Sequence, residues 1–225
     1  MRWRSITAVI FDLDGTLIKS NIDFVKMKNM IIAHFRSLGV DSEDFSSLRP
    51  TFEIVQKGIE LLEKTKSKEI VSMTRRRIDQ IMTDVEMEQV DSVSAIAGVL
   101  GTMKWLKERG IKIGVLTRSC REYALKSLEN TGLSKLVDFV AARDDVDRPK
   151  PDPDQVIMLA QKMNVKLEET LMVGDHPIDA LCAKNSNAHF IGVLTGSSKA
   201  DAFKKIGCKF IDSVNGLPRL LLRGL

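Results

Sequence analysis

The first apolar run, Ala8-Val9-Ile10-Phe11, stops at Asp12-Leu13-Asp14-Gly15. Apolar residues running into Asp and Gly read as a buried strand that ends in a turn. After Leu17 the period lengthens. Phe24, Met27, Ile31, Phe35 and Leu38 recur at helical spacing, Gly39 is placed to stop that helix, and Ser20 with Asp23 forms a candidate capping box. A polar loop over 40–49 leads to Pro50, which suits a helix start, and Ile54, Val55, Ile59 and Leu62 then share one face. Ser67 opens a third helix with the stripe Ile70, Val71, Ile78, Ile81, Met82 and Val85. Beyond Val93 the rhythm alternates. Helices are predicted over 99–109, 122–130, 153–163, 177–184 and 214–222, and strands over 111–116, 139–142, 170–173, 190–193 and 209–211.

Such alternation predicts an α/β fold, a parallel sheet with helices on both faces. The purely helical stretch after the first strand predicts an inserted subdomain. The expected boundaries are a core of 1–17 with 95–225 and an insert of 18–94, with hinges at 18–21 and 91–95.

The chain has 225 residues, enough for one core and an insert, and its 44% hydrophobic and 28% charged content is that of a water-soluble globular protein. A net charge of +4 is too weak a field for a nucleic-acid footprint, and Arg75-Arg76-Arg77 falls on a helical pattern, where it reads as a solvated face. No apolar run reaches the ~18 residues of a membrane span. Cys120, Cys182 and Cys208 form neither a metal-ligand pattern nor a disulfide framework, so a reducing cytoplasm is the expected compartment.

Chemistry collects where strands end. Asp12 and Asp14 are two apart, so at a strand end they face one way and demand a cation, a shared proton or both. A solvated Asp-x-Asp-Gly turn would use the same residues. Later strand ends or loops carry Thr117, Lys150, and Asp175 with Asp179 one helical turn on. Singly these read equally well as a helix cap, a surface lysine and a decorated helix start. Their order, each after an apolar run, is what argues for one site at the carboxyl edge of the sheet.

Four stretches carry a resemblance. Val9-Ile10-Phe11-Asp12-Leu13-Asp14-Gly15-Thr16-Leu17, Val115-Leu116-Thr117-Arg118, Arg148-Pro149-Lys150-Pro151-Asp152-Pro153 and Val173-Gly174-Asp175-His176-Pro177-Ile178-Asp179-Ala180 resemble, in order, the four motifs of the haloacid dehalogenase superfamily. The helical insert resembles the cap of its phosphoglycolate phosphatase and β-phosphoglucomutase relatives. The resemblance implies a Rossmann-like core and a phosphatase in which Asp12 attacks phosphorus and Asp14 serves as acid, then base. It implies Mg²⁺ held by Asp12, the Asp14 main-chain carbonyl and Asp175, with Thr16 and Asp179 orienting the ligands. Thr117 and Lys150 would hold the phosphoryl group, with Gly15 allowing close backbone approach and Arg118 as a further phosphate contact. His176 would face either solvent or the leaving group. Arg49, the one fixed positive charge of its loop, is a candidate contact for an anionic substrate group.

The expected substrate is a small phosphorylated metabolite rather than nucleic acid, a phosphoprotein or a membrane, and the expected state is a monomer or weak homodimer. A phosphomutase would use the same motifs. A dehalogenase lacks the second acid, present here as Asp14, and a receiver-like domain lacks both that acid and the insert.

Overall fold

The structure, a computed structural model, describes residues 5–223. In chain order the elements are β1 (Ala8–Asp12), β2 (Ile18–Lys19), α1 (Phe24–Ser37), α2 (Thr51–Thr65), α3 (Lys68–Met87), β3 (Ser94–Ala95), α4 (Val99–Lys107), β4 (Lys112–Leu116), α5 (Arg121–Asn130), β5 (Phe139–Ala141), α6 (Asp154–Met163), β6 (Thr170–Gly174), α7 (Pro177–Asn185), β7 (His189–Val193), α8 (Ala200–Lys205), β8 (Phe210–Ile211) and α9 (Leu217–Arg223).

Six strands form one parallel sheet in the order β5-β4-β1-β6-β7-β8. β1 is buried along its whole length because both of its edges and both of its faces are covered, which is why its apolar run is unbroken. On one face Ala8, Ile10 and Met172 pack against Val156, Leu159 and Met163 of α6 and Cys182 and Ala183 of α7. The chain leaves β1 for β4 on one side and later β6 on the other. The order therefore reverses at β1, and a crevice at such a reversal is where α/β sheets place their ligands.

The chain divides into two compact units, Met1–Ser20 with Val90–Leu225 and Asn21–Gln89. The second unit is α1, α2 and α3 packed on one another. Phe35 of α1 lies over Gly58 of α2, where a Cβ would come within 2.2 Å of the ring, and stacks on Phe45 at 5.4 Å between centroids. The cost of a helical glycine there is offset by burial of an aromatic ring.

Three features differ from the expectation. The α1 cap is Asp23, whose carboxylate accepts the Lys26 N–H at 2.8 Å, and not a box built on Ser20. A short antiparallel ribbon, Ile18 opposite Ala95 and Lys19 opposite Ser94, joins the segments flanking the helical unit; two-residue strands have no readable period. The short helix α8 was not legible either, since six residues span less than two turns.

Candidate active site

Asp12 is the last residue of β1, Thr117 follows β4 and Asp175 follows β6, so three neighbouring strands end at one edge with a chemically pointed side chain. Lys150 reaches the same edge from the loop before α6. Its ammonium donates to Asp12 Oδ1 and, at 2.7 Å, to Asp179 Oδ1. These groups are buried: Asp12 is 6% exposed, Lys150 5%, Asp175 6% and Asp179 1%.

Burial pushes the Asp12 carboxyl well above its ordinary range, against the pull of Lys150, and Asp179 and Asp175 push the same way. Burial also works against the Lys150 ammonium, but Asp12 and Asp179 outweigh it and hold it charged, above its ordinary value. Carboxylate oxygens of Asp12, Asp175 and Asp179 lie within 4.8 Å of one another. Three buried acids around one ammonium leave two negative charges uncompensated when all three are ionised. An all-oxygen donor set with that surplus fits a hard divalent cation.

The carboxylates are fixed from behind. Asp175 Oδ2 accepts the Ser197 N–H at 2.6 Å and the Ser197 hydroxyl at 2.9 Å. Asp179 Oδ2 accepts the His176 N–H at 3.0 Å, so both of its oxygens are engaged. Room for these contacts comes from glycines. A Cβ on Gly174 would lie 2.3 Å from Asp179 Oδ2, and one on Gly196 2.1 Å from Asp175 Oδ2. Gly15, with φ +81°, makes its close approach to Asp175 and Gly196, and its N–H is given to Ile18 O at 2.8 Å. Thr195 donates its hydroxyl to Gly15 O at 2.7 Å, so the loop after β7 clamps both the turn after β1 and Asp175.

Asp14 stands apart from this cluster in its partners. The Tyr123 hydroxyl donates to Oδ1 at 2.9 Å and the Ser119 hydroxyl to Oδ2 at 3.3 Å, with Ser20 as a third hydroxyl partner. Burial raises the Asp14 carboxyl above its ordinary value despite these hydroxyls. Burial and the neighbouring Asp14 push the Tyr123 phenol up, so it stays protonated and donates. Thr117 Oγ1 accepts the Ser119 N–H at 3.0 Å, which leaves its own hydrogen to give. Gln155 is fully buried. It accepts the Lys150 N–H at 3.0 Å and donates to the carbonyls of Thr117, Ala141 and Ala142, tying the lysine loop to the ends of β4 and β5.

The remaining candidates are placed as follows. Thr16 is buried, with no hydrogen-bond partner for its hydroxyl. Arg118 is half-buried, and its carbonyl accepts from Arg143 at 2.9 Å. His176 is the N-cap of α7, its Nδ1 accepting the Ile178 N–H at 3.1 Å. Arg49, in the helical unit, pairs with Asp44 at 2.7 Å and Glu53 at 3.4 Å, so its charge is already met. Sequence reasoning missed Tyr123, Ser119, Ser20, Gln155 and Ser197. Ser119 and Ser197 had a signal, each a polar residue just past a strand end.

A parallel sheet with an acid at its central strand end, a second acid two residues on and a buried lysine defines a class of phosphoryl-handling hydrolases. The chain belongs to the haloacid dehalogenase-like hydrolase family, whose model matches residues 9–193. It is 30% identical over 185 residues to the pyrophosphatase PpaX of Halalkalibacterium halodurans, covering 80% of each chain. It is 29% identical over 209 residues to PpaX of Bacillus velezensis, covering 89% of this chain and 90% of the relative. The crystal structure of β-phosphoglucomutase from Clostridium difficile superposes with a TM-score of 0.65 at 22% identity, over 94% of this chain and 93% of the other, a likeness of fold. Among the described residues no helix is long and apolar enough to cross a membrane.

Proposed function

We propose that this enzyme is a Mg²⁺-dependent phosphatase for a small phosphomonoester, phosphoglycolate-like or a sugar phosphate, acting through an aspartyl-phosphate on Asp12. The observation that supports it best is the buried junction of Asp12, Lys150, Asp175 and Asp179 at the sheet edge. Lys150 engages Asp12 Oδ1, which leaves Oδ2 to attack phosphorus. As that bond forms, the bond from phosphorus to the ester oxygen breaks and Asp14 gives its proton to the departing oxygen. Its burial favours this protonated start. Asp14 then takes a proton from water as the water oxygen attacks phosphorus, and Asp12 departs as a carboxylate.

The Thr117 hydroxyl, the Lys150 ammonium and Arg118 hold the phosphoryl oxygens, and Gly15, without a side chain, lets the phosphate come close to the turn. Asp12, Asp175 and the Asp14 carbonyl would hold Mg²⁺, which would supply positive charge against the developing negative charge. Thr16 and Asp179 orient the ligands, and residues 18–94 form the cap that selects the substrate. We take the protein to work in the cytoplasm, where its three free cysteines suit a reducing medium, as a monomer or weak homodimer.

A second reading is hydrolysis of inorganic pyrophosphate, favoured by the PpaX relatives. Phosphate release should be measured over 2-phosphoglycolate, β-glucose 1-phosphate, other sugar phosphates and pyrophosphate, with and without EDTA. Release from a monoester that EDTA stops and Mg²⁺ restores is expected. Preference for pyrophosphate selects the second reading, conversion of β-glucose 1-phosphate to an isomer makes the enzyme a mutase, and full activity in chelator removes the metal.

A further inference from the structure

We propose that Tyr123 is a positioning residue for proton transfer, fixing the Asp14 carboxyl so that Oδ2 is the oxygen that hands its proton to the leaving group. The inference rests on the acid role proposed above for Asp14 and adds a residue that none of the four motifs contains.

Tyr123 lies on the buried face of α5, in its first turn, with Ala124, Ser127 and Leu128 on the same face. It is fully buried, yet its hydroxyl is directed at a carboxylate 109 positions away in the chain. Two features of the geometry distinguish the Asp14 oxygens. Oδ1 receives the phenol at 2.9 Å, an ordinary hydroxyl–carboxylate bond held by a ring that packing cannot release. Oδ2 receives Ser119 at 3.3 Å, and this hydroxyl, like that of Ser20, the carboxyl's third partner, can turn to another acceptor. A carboxyl anchored through one oxygen by a rigid donor keeps the other free to move a proton. The hydroxyl oxygen of a carboxylic acid is a poorer acceptor than its carbonyl oxygen, so the rigid phenol favours Oδ1 as the carbonyl oxygen and puts the transferable proton on Oδ2. As the Asp12–phosphorus bond forms, the electron pair of the breaking phosphorus–oxygen bond goes to the leaving oxygen, which takes the proton from Oδ2. Ser119 connects this acid to the phosphate side, since its N–H is bound to Thr117 Oγ1.

Positioning is distinguishable from mere packing because a leaving group that departs unaided needs no proton. The test is kcat/KM for a series of substituted phenyl phosphates of increasing phenol basicity, measured on the wild type, Tyr123→Phe and Asp14→Asn. Tyr123→Phe keeps the buried ring and removes one oxygen. kcat/KM reports steps through the first phosphoryl transfer, and the fraction of folded enzyme cancels in comparisons between substrates. The expectation for Tyr123→Phe is a loss of about tenfold on the most basic phenol and under about twofold on p-nitrophenyl phosphate, from one lost bond to the carboxylate that forms as the proton leaves. Asp14→Asn should show the same gradient, more steeply. Loss by one factor on every ester, up to complete loss, makes Tyr123 structural only and overturns the proposal, as does no loss. A flat series for Asp14→Asn overturns the acid role itself; a steep one beside an unchanged Tyr123→Phe overturns only the role of Tyr123.

Discussion

Gly196→Ala tests the proposed metal site from behind. The position has no positive φ, so alanine meets no backbone penalty, and any effect comes from the new methyl. That methyl would stand 2.1 Å from Asp175 Oδ2, 2.4 Å from Cγ and 2.7 Å from Cβ, all well inside van der Waals contact. Asp175 cannot yield cheaply, because the same Oδ2 is held by both donors of Ser197. Relief requires the carboxylate or the loop to shift by about 1 Å or more, the shortfall from ordinary contact distance. Such a shift breaks bonds to a charged acceptor worth about 1.5–3 kcal/mol each and misplaces the other oxygen. Disturbing the partners that orient a metal ligand costs about 10–100-fold in metal affinity, and that is the predicted loss. Calorimetric titration with Mg²⁺ reads it directly. Gly101→Ala is the control, since nothing lies within 4 Å of a Cβ there and it sits inside α4. Adding Asp175→Ala to Gly196→Ala should restore the lost stability without restoring metal binding. Wild-type Mg²⁺ affinity in Gly196→Ala would refute the reasoning.

Asp14→Asn should slow turnover by about 10²–10⁴-fold while a phosphate analogue such as vanadate still binds, read by steady-state kinetics and inhibition. Gly58→Ala should loosen the helical unit by about 1–2 kcal/mol, because overpacking against Phe35 exceeds the helix-propensity benefit, and hydrogen exchange in α2 checks it. Arg49→Ala should leave KM for 2-phosphoglycolate within about twofold, since Asp44 and Glu53 already meet its charge and losing half-exposed pairs of this kind disturbs the fold little. A large rise in that KM alone would restore Arg49 as a substrate contact.

The residues readable from the sequence share one trait. Asp12, Thr117 and Asp175 each interrupt a buried apolar run at its end, and topology then brings the ends together. The parallel sheet was legible for the same reason, since β1, β4 and β6 are buried on both faces and lose the alternation of a surface strand. What supports the acids was hidden. Tyr123 and Gln155 sit at buried helical positions indistinguishable by period from core residues, and their polar ends meet partners far away in the chain. Ser20 read as a cap because Asp23 follows it, yet Asp23 caps α1 itself and Ser20 turns to Asp14. Glycine spacing gave no hint that Gly174 and Gly196 are vacancies for carboxylates, which only the packed loops reveal.

The central claim is a covalent aspartyl-phosphate on Asp12. Enzyme mixed with ³²P-labelled substrate and quenched in acid within one turnover should carry label, and peptide mapping should locate it to the segment containing Asp12. Asp12→Asn should carry none and turn over nothing. Full turnover without trapped label, label on another residue, or an active Asp12→Asn would contradict the account.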